Sequence, residues 1–124
     1  MIYTPHIEIK KAINTKLNAL GFPVVNTFPR VEVHSFDTTP GTEKNNWVYD
    51  VTFIIEVLDK ATSPATSLSM ISDIRGNLGE NIDIVGYKVI NFEYELLNEL
   101  EETTDTEVII WRQVQRVRIN LKKE

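Results

Sequence analysis

The longest ordered pattern of apolar and polar positions runs over residues 47–58, WVYDVTFIIEVL. Trp47, Tyr49, Val51, Phe53, Ile55 and Val57 share one parity, and Asp50, Thr52 and Glu56 hold the other, interrupted by Val48, Ile54 and Leu58. A period of two predicts a β-strand, and the apolar interruptions predict cover on much of its second face. At roughly 3.3 Å per residue such a strand spans about 40 Å. It is expected to project past the body of a small domain, toward an interface.

The remaining elements follow in chain order. Thr4-Pro5 is a helix start, because Thr accepts from free backbone N–H groups and Pro gives up a donor that has no partner there. Ile9, Ile13, Leu17 and Leu20 recur at helical spacing up to Gly21, which predicts an amphipathic helix over 5–20 with Lys10, Lys11, Asn14, Lys16 and Asn18 on its solvated side. After an extended connection between Pro23 and Pro29, Val31 and Val33 alternate with Glu32 and His34 in a shorter strand over 30–36. Residues 37–46, DTTPGTEKNN, are turn formers and predict a long hairpin loop into the central strand. Ser63-Pro64 starts a second helix, with Leu68, Ile71, Ile74 and Leu78 on one stripe and an end near Gly76 or Gly79. Ile90, Phe92, Tyr94 and Leu96 mark a third strand over 87–96. The acidic stretch 98–107 reads as a loop, and a last strand occupies 108–121. In that strand the apolar parity changes between Val114 and Val117, which predicts a β-bulge near Gln115-Arg116.

The expected fold class is therefore α+β: a single domain over 1–124, a two-layer sandwich in helix-hairpin-helix-hairpin order. Its antiparallel or mixed sheet would carry two helices on one face and leave the other for a partner.

Composition narrows the function. The chain of 124 residues is 42% hydrophobic and 25% charged, the balance of an ordinary globular domain. Its N-terminus lacks the pattern of a secretory signal, so assembly in a cytoplasm is expected. With no cysteine there is no disulfide framework, thiol nucleophile or thiolate metal site. A net charge of −5 argues against general binding to a phosphate backbone.

Candidate chemistry is sparse. His6 and His34 lack a second ligand at metal spacing, and no nucleophile elbow or phosphate-binding loop is present. Neither a catalytic group nor a cofactor is expected. Gly76-Asn77-Leu78-Gly79 matches the G-x-x-G of KH domains, and with the basic last strand it sketches a small nucleic-acid-binding module. Helix termination explains the same residues, and the acidic neighbours would repel phosphate. Charge is strongly segregated: Glu93 to Glu107 holds seven acidic residues with no Lys or Arg, and Arg112, Arg116 and Arg118 follow. Cross-strand pairing of Glu93 and Glu95 with Arg112 or Arg116 is one reading. The other is contact between subunits, head to tail, which closes a ring when the rotation permits. On that reading the interface candidates are Asp37, Glu43 and Lys44 in the first loop, Glu99, Glu101 and Glu102 in the second, and Trp111, Arg112, Arg116 and Arg118 in the last strand.

The run Phe28-Pro29-Arg30-Val31-Glu32-Val33, a polar loop, and Trp47 leading to Ile55-Glu56-Val57, set between an opening helix and a Ser-Pro-started second helix, resembles the tail terminator proteins of long-tailed bacteriophages, of the lambda minor tail protein U type. The resemblance implies a virion structural protein, not an enzyme. It would form a ring, usually hexameric, at the head-proximal end of the tail, ending polymerisation of the tail tube protein and offering a docking surface to head-tail connector proteins. It implies no cofactor, no membrane and no specific nucleic acid. Neck, connector and tail-completion proteins are the neighbouring alternatives.

Overall fold

A computed structural model describes residues 5–22, 27–40, 48–79, 82–103 and 108–124. The elements are α1 (His6–Ala19), β1 (Arg30–Pro40), β2 (Val48–Ala61), α2 (Ala65–Asn77), β3 (Tyr87–Thr103) and β4 (Ile109–Lys123). Ile9, Ile13 and Leu17 form the buried stripe of α1. The helix closes with Phe22 N–H on the Leu17 carbonyl at 2.8 Å and Gly21 N–H on that of Asn18 at 3.1 Å. This double bond pattern needs a left-handed residue after the helix, and Gly21 supplies it at φ 91°. In α2 the buried residues are Ser67, Ile71 and Ile74, whereas Leu68, expected on the stripe, is exposed. The Thr4 cap lies outside the described residues. Ser63 Oγ accepts only a long 3.4 Å bond from Ala65 N–H.

The four strands make one antiparallel sheet in the order β1-β2-β4-β3. Val31 and Val33 of β1, Val51, Phe53, Ile55 and Val57 of β2, and Val117, Ile119 and Leu121 of β4 point to one face, where they meet the apolar residues of both helices in one core. Helix α1 lies over β1, and α2 over β2 and β4.

The fold class expected from the sequence is corrected here. The molecule is not a balanced two-layer α+β sandwich of helices and hairpins. It is dominated by its sheet, 55% of the described residues being strand, with two short helices of 14 and 13 residues laid on it. The excess comes from two segments whose polarity marks them as loops. Asp37 to Pro40 continue β1 and pair with Thr52 to Tyr49 of β2. Leu97 to Thr103 continue β3 and pair with Gln115 to Ile109 of β4, so most of the acidic stretch is strand. Both extensions lie on edge strands, where charged side chains reach water from either face and help block unwanted strand pairing.

The predicted bulge is also displaced. β4 pairs with β2 from Val48↔Lys122 to Ala61↔Ile109 with no break. Its apolar parity changes because Gln113 and Gln115 occupy the core face. Gln113 Nε2 donates to Ser67 Oγ and to Glu99 Oε2, at 3.3 and 2.7 Å. Gln115 Nε2 donates to the Leu96 and Arg116 carbonyls. The bulges fall on the edges instead: in β1 between His34 and Asp37, and in β3 between Val89 and Asn91 and between Tyr94 and Leu97.

The two glycines near the end of α2 have opposite roles. A Cβ on Gly79 would stand 2.7 Å from the Phe92 ring, which Tyr94 holds edge-on at 5.4 Å, whereas a Cβ on Gly76, inside α2, meets nothing within 4 Å. Gly79→Ala is therefore expected to lose about 1–3 kcal/mol, and Gly76→Ala to gain roughly 0.5–1 kcal/mol from helix propensity. Thermal melts of the two variants should shift in opposite directions.

Candidate functional site

Both helices lie on one face of the sheet, and alternation sends to the other the residues that β2 and β4 do not bury in the core. At the centre is Glu56, 1% exposed although no helix covers it. Across β1 its Oε2 accepts from His34 Nε2 at 2.8 Å. Since an ionised carboxylate only accepts, the Nε2 of His34 carries the proton. Across β4 its Oε1 accepts from Arg112 Nε, and Arg112 Nη1 reaches on to Glu102 of β3. The network therefore ties all four strands together.

Burial alone would raise the Glu56 carboxyl, but hydrogen bonds and charge from Arg112 and His34 together outweigh it and hold the group below its ordinary value. The same bond to Glu56, with Glu102, holds Arg112 further above the usual guanidinium range. A second cluster follows along the face. Arg116 Nε lies 3.4 Å from Glu95 Oε1, and Arg118 is shared between Glu95 and Asp50, both at 3.4 Å.

Glu32, His34 and Glu56 place ligand atoms within 4.8 Å of one another. Both Glu56 oxygens are already engaged, one of them by a guanidinium that would repel a cation, so the donor set fits an ion-pair network better than a metal centre. The face is a fixed pattern of charge flanked by exposed Leu96 and Leu100.

The interface candidates fall into three groups. Arg112, Arg116, Arg118 and Glu102 join the networks above, and Asp37 is exposed on the extension of β1. Glu99 and Glu101 stand on the opposite face near Trp111, with Glu101 opposite it in register. Trp111 is half-buried and donates from Nε1 to the Ala61 carbonyl at 3.2 Å. Glu43, Lys44 and Trp47 lie outside the described residues. Sequence reasoning missed the joint role of His34 and Glu56. The available signal was Glu56 itself, one acidic residue inside the apolar run Phe53 to Leu58, where a carboxylate needs a cationic partner. In the G-x-x-G, Gly76 belongs to α2 and Gly79 packs on Phe92. Both are accounted for by folding.

No protein-family pattern matches the sequence, and no curated protein matches it. Among solved structures, one chain superposes over nearly its whole length, with a TM-score of 0.73, covering 96% of this chain and 99% of that one at 16% identity. It belongs to the virion of a native gene transfer agent particle. The fold is shared with a virion protein. At this identity the likeness establishes the arrangement of the chain.

The direction of the Glu56 shift fixes a pH dependence. Its folded value lies below the unfolded one, so the stabilisation is fully present above the unfolded value and is lost as pH falls through the folded one. Glu56→Gln should lose roughly 1–2 kcal/mol at neutral pH, allowing for the access of water to Arg112 and His34, and its stability should fall less steeply below about pH 5. Urea midpoints of both proteins between acidic and neutral pH check this. Parallel curves would assign the acid sensitivity to other carboxylates.

Proposed function

We propose that this chain is a structural protein of a phage-type virion that assembles as a ring, six copies being the expected number, at the head-proximal end of a tail. There it ends growth of the tail tube and presents a docking surface to connector proteins. The single observation that supports the reading best is the near-complete, end-to-end superposition on a chain of the gene transfer agent virion. The sequence resemblance to tail terminators, drawn from different features, points the same way. A face of fixed charges fits the work of such a protein, which is to hold neighbours in register.

In this proposal the steps are steric and electrostatic. A closed ring seated on the last tube layer covers the surface that the next tube subunit would use. Charged contacts set orientation and suppress wrong partners more than they add affinity. Glu99, Glu101, Glu102 and Trp111 on the distal part of the β3–β4 hairpin, with Asp37, Arg112, Arg116 and Arg118 on the outer face, are the proposed contact residues between copies or with the tube. Glu43 and Lys44, in the polar stretch 37–46, complete the proposed set.

The reading makes two measurable claims. Native mass spectrometry at low salt should show one discrete ring-sized species, alone or on isolated tails. Adding the protein to polymerising tube subunits should also shorten and narrow the tube-length distribution in electron micrographs. Tubes that grow to the same lengths with and without the protein would rule out termination.

A further inference from the structure

The bulge of β1 creates a chain of hydrogen bonds that the ion pairs of the sheet do not require. Ser35 and Phe36 stand outside the ladder register, which resumes at Asp37, and Ser35 takes a φ of 61°. In a regular strand neighbouring side chains point to opposite faces. Here Ser35 Oγ lies 2.7 Å from Nδ1 of its neighbour His34, and His34 Nε2 donates to Glu56 Oε2 at 2.8 Å. With the proton on Nε2, Nδ1 of the neutral ring is an acceptor, so the Ser35 hydroxyl donates to it.

A hydroxyl, an imidazole and a buried carboxylate joined in this order are the parts of an activated nucleophile. The ring takes the hydroxyl proton, and the carboxylate holds the ring and stabilises the cation that forms. The usual triad has the serine on Nε2 and the carboxylate on Nδ1. Exchanging the nitrogens still leaves a basic lone pair toward the hydroxyl and an N–H toward the carboxylate. Glu56 is buried, and against that burial Arg112 and His34 hold its carboxyl below the ordinary value. Glu32 adds a second carboxylate near the ring. Ser35 is exposed and borders a hollow of about 210 Å³ that Asp37, Thr52, Ile54 and Arg116 also line. Arg116 turns Nε toward Glu95, which leaves other guanidinium donors for a carbonyl oxygen that gains charge. Asp37 on the same wall disfavours anions.

We propose that Ser35 is a nucleophile, with His34 as its general base and Glu56 orienting the ring, and that it hydrolyses small neutral esters held in this hollow. Ser35 Oγ bonds to the ester carbonyl carbon as its proton passes to His34 Nδ1, and the carbonyl oxygen takes up negative charge beside Arg116. Collapse of this adduct breaks the bond to the leaving oxygen, which departs as an alcohol with the proton from His34. Water then attacks the acyl-serine, giving one proton to His34. The carboxylic acid is released, and the proton returns from His34 to Ser35. The activity is additional to the structural role proposed above and stands or falls apart from it.

Two substitutions remove one group each while sparing the fold. Ser35→Gly suits the positive φ and lacks only the hydroxymethyl group. His34→Gln keeps an N–H for Glu56 and lacks the base. With p-nitrophenyl acetate as substrate, each should lose about a hundredfold in kcat/KM, and Glu56→Gln should lower kcat with KM unchanged. A fluorophosphonate should add to Ser35 alone, as located by mass spectrometry of the digested chain, and should leave Ser35→Gly unmodified. Release of nitrophenol by Ser35→Gly at the parent rate would overturn the assignment, and so would a fluorophosphonate adduct on another residue or on none.

Discussion

The unbroken antiparallel ladder between β2 and β4 is the constraint on which the other features depend. Fourteen residues of β2 meet fourteen of β4 without a shift, and since side chains alternate with a period of two, that register decides the face of every residue on both strands. It puts Val51, Phe53, Ile55 and Val57 beside Ile119, Val117, Gln115 and Gln113 under the helices. It sends Glu56, Arg112, Arg116 and Arg118 to the other side. A slip by one residue would place Glu56 in the core and four large apolar side chains in water.

Glu56 reinforces that choice. Its carboxylate is held from β1 by His34 and from β4 by Arg112, and Arg112 extends the tie to Glu102 on β3. The pairing is satisfied only when all four strands stand in the observed register. A buried ion pair of this kind adds little net stability over a well-packed apolar group, because desolvation offsets most of the attraction. Its effect is selective, since any register that separates the partners leaves a charge buried and unpaired. The two core glutamines act in the same sense. Gln113 can enter the core because Ser67 of α2 and Glu99 of β3 accept from its amide, and Glu99 would be out of place with β3 shifted.

Much of the element order was legible in the sequence because it rests on local signals. The Ile9, Ile13, Leu17 spacing with Gly21 marks α1, and the alternation through Phe53 marks β2. The extent of the strands was not legible, because a polar, acidic stretch has the average composition of a loop. At Glu99 and Glu102 each charge has a particular partner across the strand, Gln113 and Arg112, and a rule based on average polarity has no access to partners. The bulge was misplaced for a related reason. Gln113 and Gln115 face inward, so the apolar parity of β4 changes while its backbone stays regular. Of the candidate site, the arginines and glutamates were visible as segregated charge. The Glu56 and His34 pairing depends on strands distant in sequence and emerged only with the register.

The edges of the sheet bear on how copies of this protein can meet. β1 carries a bulge where Ser35 takes a positive φ of 61°, and it ends at Pro40, which has no N–H to offer. β3 carries two bulges and a row of glutamates. Bulges twist the backbone donors and acceptors of an edge away from a flat approach, and like charges oppose the pairing of two such edges. Both edges are thus poor templates for adding a strand. An assembly built by edge pairing would also have no reason to stop, since each added sheet exposes another edge. Contacts made by side chains between two different surfaces of the subunit have a fixed geometry and use up one of each surface per copy. For a protein whose proposed task is to end a polymer, a contact that closes on itself is the consistent choice.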